Sequence, residues 1–291
     1  MLSNLQEPKT IRRISIAHSP DADDAFMFYA LSKNIIVNKE FKFEHILKDI
    51  QTLNIEAEIT KYDVQAISFF GYPSVEDKYQ LLSCGGSLGC GYGPLLISKE
   101  KIDGKDFASL KNQTIAVPGE KTTAFLLLRL LVKDFKPIFV PFDQILESVA
   151  SGKYPLGLII HEGQLSYLKH NLNKVCDLGE WWLGKTNLPV PLGGNVIKRS
   201  ISEEEKKEIN SLIKKSIVYA LENKEQVVHA VSDYARELND DHKLVSKFIG
   251  MYVNEFTLDY GLRGRLAIKK LYQLAYKEDL IDKIPKLDFV E

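Results

Sequence analysis

The chain has 291 residues, 38 Lys and Arg against 39 Asp and Glu for a formal net charge of -1, and 45% hydrophobic residues. That length favours two lobes or domains over one compact core, and the balanced charge argues against broad attraction to nucleic acid or an anionic membrane. Three cysteines, Cys84, Cys90 and Cys176, with no C-x-x-C pair argue against a disulfide framework and a structural zinc site.

Residues 1–10 are polar and include Glu7 and Pro8, so they lack the apolar stretch of a secretory leader. No apolar run approaches the roughly 18 residues needed to span a membrane; the longest candidate, residues 122–132, is interrupted by Arg129. A cytoplasmic location is expected. Residues 13–17 (RISIA) read as a buried strand running into the polar turn Ser19-Pro20-Asp21-Ala22-Asp23-Asp24. A helix follows over residues 24–32, with Asp23 as its N-cap. Residues 41–47 alternate as a second strand, residues 49–57 form a helix carrying Ile50, Leu53 and Ile55, and residues 64–69 form an apolar strand. Strand, helix, strand, helix, strand is the pattern of a parallel sheet with crossover helices.

Residues 81–94 (LLSCGGSLGCGYGP) hold five glycines, the composition of a loop or of a strand that other backbone approaches closely. Residues 95–98 read as a strand leading out of the first lobe. The unit then restarts: strand 114–117, turn Pro118-Gly119-Glu120-Lys121, apolar helix 122–133, strand 138–140, helix 142–151 ended by Gly152, and buried strand 156–160 (LGLII) followed at once by His161-Glu162. Residues 188–197 (LPVPLGGNVI) suit a return crossing, and the remainder is helical. Ser202 and Glu205 have capping-box spacing; Ile209, Leu212, Ile213, Ile217, Ala220 and Leu221 form one apolar stripe; and further helices fit residues 225–238, 242–251 and 262–277. Residues 1–97 and 192–291 thus make a larger lobe, residues 98–191 a smaller one, and two crossings make a hinge beside an interlobe cleft. This is an α/β, two-lobed layout of the type II periplasmic-binding-protein kind, which closes on a ligand by hinge motion and by itself distinguishes neither binder nor enzyme.

His161 is the candidate catalytic residue, because strands of an open α/β sheet deliver their C-terminal residues to the ligand crevice and a neutral imidazole accepts protons near pH 7. The alternative is a histidine that only ties a loop. Glu162 points to the other side if the strand continues, so no dyad is assumed. Thr122 and Thr123, after a glycine turn at a helix start, form either an anion site for a carboxylate or phosphate or an ordinary cap. Ser19, Asp21 and Asp24 sit in a turn suited to ligand hydroxyls; a metal there is the weaker reading, since hard cations want more oxygen ligands. Ser68, at a strand end, and Gly91, in the glycine-rich stretch, complete the candidate substrate-binding set. That stretch does not follow the dinucleotide pattern, so no nucleotide cofactor is expected. Trp181-Trp182 read as packing near the hinge, His18 as a second polar group of the cleft or one facing the sheet, and His45, His170, His229 and His242 as surface residues.

The segments SPDADDAFMFYAL, DIQTLN, GGSLGCGYGPL, VPGEKTTAFLLL, GLIIHEGQLSY, DLGEWW, LPVPLGGNV and YVNEFTLDYG resemble, in this order, the 1,4-dihydroxy-6-naphthoate synthase family of the futalosine menaquinone pathway, over about residues 13–276. The resemblance implies the two-lobed fold, no metal or organic cofactor, and a lyase reaction: cyclic dehypoxanthine futalosine to 1,4-dihydroxy-6-naphthoate with loss of a three-carbon fragment. It makes the histidine of Ile-His-Glu, here His161, the general base, and places Thr122 and Thr123 at the ligand. One departure is that members carry Ser-Pro-Cys-Pro-Asn-Asp-Thr-Phe where this chain has residues 19–26, which leaves the contacts of that turn open. The rivals are the sister chorismate dehydratase, a solute-binding protein and a ligand-sensing regulator. Expected partners are a small-molecule substrate, with no nucleic acid and no membrane insertion; the oligomeric state is not legible.

Overall fold

A computed structural model describes residues 11–102, 107–235, 238 and 241–291. The polar start at residues 1–10 and part of the helix expected over residues 225–238 lie outside the described residues. In chain order the first lobe contains β1 (Arg12–His18), α1 (Ala22–Met27), α2 (Tyr29–Ser32), β2 (Phe41–Leu47), α3 (Ile50–Glu58), β3 (Val64–Ser68), β4 (Tyr79–Leu82) and β5 (Ser87–Gly89). The second contains β6 (Leu95–Ser98), β7 (Thr114–Val117), α4 (Thr123–Leu131), β8 (Lys136–Phe139), α5 (Ile145–Ala150), β9 (Leu156–Ile159), α6 (Gly163–Ser166), β10 (Asn173–Asp177) and α7 (Leu178–Thr186). The chain then returns through β11 (Val190–Lys198) to α8 (Glu203–Glu222), α9 (Lys224–Val231), α10 (His242–Tyr252), α11 (Glu255–Leu258), α12 (Gly261–Lys277) and β12 (Phe289–Val290).

The first lobe's sheet has the order β12-β4-β11-β3-β1-β2, with β5 also on β11; the second has the order β10-β6-β9-β7-β8. β1 runs parallel to β2 and β3, and β7 parallel to β8 and β9, as crossover helices require. β11 is antiparallel to β3, β4 and β5, so the returning segment is structural to the first sheet. Among the described residues, β6 pairs only with β9 and β10. It therefore belongs wholly to the second sheet, and the outward crossing falls between β5 and β6, ahead of residue 97.

The local signals explain most element starts. Asp49 caps α3 by accepting from the Thr52 N–H, and Ser202 and Glu205 form the reciprocal capping box of α8. The first helix differs from expectation. It begins at Ala22, with Asp21 rather than Asp23 at the N-cap position, and it breaks at Phe28 before α2. Asp21 makes no side-chain cap, and the carboxylate of Asp24 instead turns back to accept the Ser19 N–H at 2.7 Å.

α4 (TAFLLLRLL) is buried on nearly all sides, because it packs against β11 and α12 of the first lobe as well as α7 of its own. One apolar cluster consequently runs through both lobes, from Leu126 and Trp182 to Phe69, Tyr260 and Ile268. Trp182 is fully buried and its indole N–H donates to the Pro189 carbonyl at 2.9 Å, which fixes the return crossing. Gly179, in the first turn of α7, lies where a Cβ would sit 2.1 Å from the Tyr92 backbone, so only glycine lets α7 pack against the outward crossing there.

Candidate active-site cleft between the lobes

A cavity lies between the lobes. Ser19, Asp21, Asp23, Asp24, Ser68 and Asn195 line it from the first lobe, and Thr122, Thr123, His161 and Gln164 from the second. The structure thus brings together every candidate residue except Gly91. Gly91 has a φ of 79° and stands near Leu183 at the hinge; it does not line the cavity, whereas Gly85 of the same stretch does. Five glycines compete in that stretch, and only the three-dimensional path separates turn glycines from one that faces the ligand.

His161 does not continue the strand. β9 ends at Ile159, and His161 takes a left-handed conformation with a φ of 56° before α6 begins. The turn swings the imidazole across the cleft, where Nδ1 lies 3.1 Å from Oδ2 of Asp21. The Phe142 ring packs against the imidazole at 4.9 Å, tilted by 64°. Because the strand has ended, the alternation expected for Glu162 does not apply: Glu162 is buried at the start of α6, in the same electrostatic cluster.

That cluster is strongly acidic. Burial pushes the Glu162 carboxyl up to about 7, the Asp21 charge adds to this, and His161 opposes it. Burial, then Asp21, pushes Asp23 up to about 6, with His161 again opposing. Asp24 is held well above the usual carboxylate range by burial and the adjacent Asp23, although the Ser19 N–H favours its charged form. Desolvation is the leading cause in all three, as expected for carboxyls in a low-dielectric cleft. Among the described residues, no group of three or more His, Cys, Asp or Glu is placed to hold a metal ion.

The threonine pair is engaged within the protein. The Thr122 hydroxyl donates to the Gly119 carbonyl and accepts from the Phe125 N–H, the ordinary cap. The Thr123 hydroxyl donates to the Leu192 carbonyl at 2.5 Å and accepts from the Phe70 N–H, stitching α4 to the first lobe. What the helix start can offer a ligand is therefore the backbone N–H groups of Thr123 and Ala124, which have no intrahelical acceptor at the first turn. Ser68 is tied to Asn54 through both its hydroxyl and its N–H. Among the described residues the Ser19 hydroxyl and the Asn195 Oδ1 have no hydrogen-bond partner; both are buried, and both residues line the same cavity.

Asn195, Gln164 and Tyr252 are site residues the sequence reading did not single out. Tyr252 of α10 donates to Gln164 Oε1 at 2.7 Å, a second bridge between the lobes. Gln51 accepts from the Lys121 N–H, Asn54 donates to the Lys121 carbonyl, and Lys121 pairs with Glu58. These contacts hold the lobes against one another across the cleft. The two remaining expectations concern histidines. His18 does not line the cavity but faces the sheet side, stacked on Phe28 and bonded to His45 at 3.2 Å. His45 is accordingly half-buried rather than a surface residue, and burial lowers both imidazoles, to about 3 and about 4.

Against this geometry, a family profile described as "Menaquinone biosynthesis" matches residues 14–277. A "1,4-dihydroxy-6-naphtoate synthase" of Thermus thermophilus is 35% identical over 277 residues, covering 95% of this chain and 99% of the relative. One of the same name from Streptomyces coelicolor is 35% identical over 274 residues, covering 92% and 94%. An Archaeoglobus fulgidus protein solved by X-ray crystallography superposes with a TM-score of 0.87 at 42% identity, covering 92% of this chain and 98% of that one. The alkanesulfonate-binding protein SsuA of Xanthomonas axonopodis pv. citri superposes with a TM-score of 0.70 at 12% identity over 98% and 97% of the two chains, a likeness of fold alone. No helix among the described residues is long and apolar enough to cross a membrane.

Proposed function

The chain belongs to the menaquinone-biosynthesis family matched over residues 14–277, and from that premise we propose that it catalyses the 1,4-dihydroxy-6-naphthoate synthase reaction itself. The substrate is cyclic dehypoxanthine futalosine, the reaction a carbon–carbon lyase step that releases a three-carbon fragment, and the compartment the cytoplasm. The observation that carries this reading is the meeting, in one cavity, of a helix N-terminus from one lobe, an imidazole at a strand end, and a polar turn from the other lobe.

The Thr123 and Ala124 N–H groups at the start of α4 hold the aromatic carboxylate of the substrate, in a field that favours negative charge. Ser19, Ser68, Asp24 and Asn195 face its sugar-derived part. His161 removes a proton, electrons move toward the carbonyl side, and the sugar-derived carbon–carbon bond breaks as the second aromatic ring forms. The bridged lobes keep water from the enolate-like intermediate.

The test is His161→Ala. A positioned general base is worth about 10²–10⁴-fold, so turnover falls by roughly that factor while calorimetry still detects substrate binding. Turnover at the wild-type rate would exclude His161 as the base.

A further inference from the structure

We propose that Asp21 is the positioning residue of His161: its carboxylate, reaching across from the opposite lobe, holds the imidazole by Nδ1 and leaves Nε2 to take the substrate's proton. The proposal rests on the reading of His161 as the base and assigns Asp21 a role other than direct contact with a ligand hydroxyl.

Three observations carry it. Nδ1 of His161 and Oδ2 of Asp21 are 3.1 Å apart although they come from different lobes. The left-handed turn at His161 is what aims the ring there, since a residue continuing β9 would follow the strand. A non-glycine residue held at positive φ is strained, of the kind that persists where the surroundings require it. Third, Asp21 is 1% exposed, yet among the described residues no donor is aligned for a hydrogen bond with either of its oxygens. The His161 contact has the distance of an ion pair but not the direction of a straight hydrogen bond. Asp24, three residues on, shows the contrast: its carboxylate accepts from the Ser19 N–H.

A buried carboxylate without donors is costly, and the cost is recovered when the facing imidazole takes a proton. The interaction is then stronger after proton transfer than before it, which is the condition for accelerating the step rather than only tightening binding. A carboxylate on one ring nitrogen also fixes which nitrogen is the acceptor. The charged or titratable groups facing this pair include Asp23 and Asp24 from α1 and Glu162 from the start of α6, all pushed toward their neutral forms, while Phe142 supplies an apolar wall. Because the partners sit on separate lobes, the pair is assembled only while the lobes are together.

The test compares Asp21→Asn, His161→Ala and the double variant in the full-length protein. Carboxylates that orient metal-binding imidazoles are worth about 10–100-fold; by that analogy Asp21→Asn loses at least roughly that factor in kcat with KM little changed. Its kcat/KM profile loses activity at a lower pH on the acid side, because the anion that favours the protonated ring is gone. The double variant is no slower than His161→Ala, and Asp21→Glu recovers part of the rate. A rise in KM with kcat intact would make Asp21 a ligand contact; a uniform loss with the acid limb unmoved would make it structural. Either result overturns the proposal. A slow His161→Ala beside an unimpaired Asp21→Asn overturns the pairing alone, whereas a full-rate His161→Ala overturns the base as well. Nitrogen-15 NMR of the wild-type histidines needs neither variant nor turnover: the neutral His161 ring carries its proton on Nδ1, and a proton on Nε2 contradicts the pairing.

Discussion

Replacing Glu162 by Gln should stabilise the protein, and only above a definite pH. Glu162 is 5% exposed, its Oε1 has no hydrogen-bond partner, and burial raises its carboxyl from 4.5 to about 7. In the unfolded chain it titrates near its ordinary value. The sign follows from linkage: a carboxyl raised in the folded state costs nothing below the unfolded value, and its cost grows as pH rises toward the folded value, then levels off. Carried through linkage, such a rise makes the ionised group cost on the order of a few kcal/mol, an upper figure because the neighbouring Asp23 titrates in the same cluster. Glutamine keeps the shape without the charge. Thermal unfolding followed from pH 4.5 to 8.5 should show the variant and the wild type together at the acid end. The variant should pull ahead through pH 5–7 and reach a plateau several degrees higher, since about 1 kcal/mol shifts Tm by roughly 2–4 °C in chains of this order of length. A constant offset at every pH would mean that Glu162 is not an uncompensated buried acid, and a variant less stable at pH 8 would mean that its charge is paired.

Three further outcomes follow from particular contacts. Tyr252→Phe removes the hydrogen bond to Gln164 that joins the lobes; a net bond is worth about 0.5–1.5 kcal/mol, so KM for the substrate should rise roughly 2- to 10-fold with a smaller change in kcat, and unchanged steady-state constants would deny the bridge a role in closure. Trp182→Ala empties a fully buried site at the return crossing; denaturant titration should show a loss of about 3–5 kcal/mol, with kcat of the folded protein preserved because Trp182 does not line the cavity. Gly86→Ala drives a Cβ to 2.2 Å from the ring of the fully buried Tyr260; overpacking of this kind costs about 1–3 kcal/mol, and a variant as stable as the wild type by thermal melting would show that the ring yields.

Much of the fold was legible because its signals are local. Alternation and apolar runs placed β1, β2, β3, β7 and β9 within a residue or two, and the Ser202–Glu205 spacing placed the start of α8. Part of the cavity's lining was legible: the strand that ends two residues before His161 and the glycine turn before Thr122 and Thr123 both lead to the cleft. What was not legible is decided by distant chain. Asp21 and Asp23 are equally good helix-start residues by type, and nothing local shows that Asp21 meets His161 of the other lobe. The hydroxyls of Thr122 and Thr123 look free in sequence, yet the cap and the Leu192 carbonyl use them. β5 and β12 are three and two residues long, too short for periodicity to register. Asn195 did carry a signal, a lone amide in the apolar run of β11, but only the fold shows that its Oδ1 faces the cavity without a partner.

The central claim is catalysis of one step, and it is tested most directly by incubating the purified protein with cyclic dehypoxanthine futalosine while recording naphthoate absorbance and assaying the released three-carbon product. Stoichiometric appearance of both, at a rate proportional to protein and lost in His161→Ala, is the predicted result. Folded protein that binds the compound and releases neither product would contradict it and leave the cleft as a binding site.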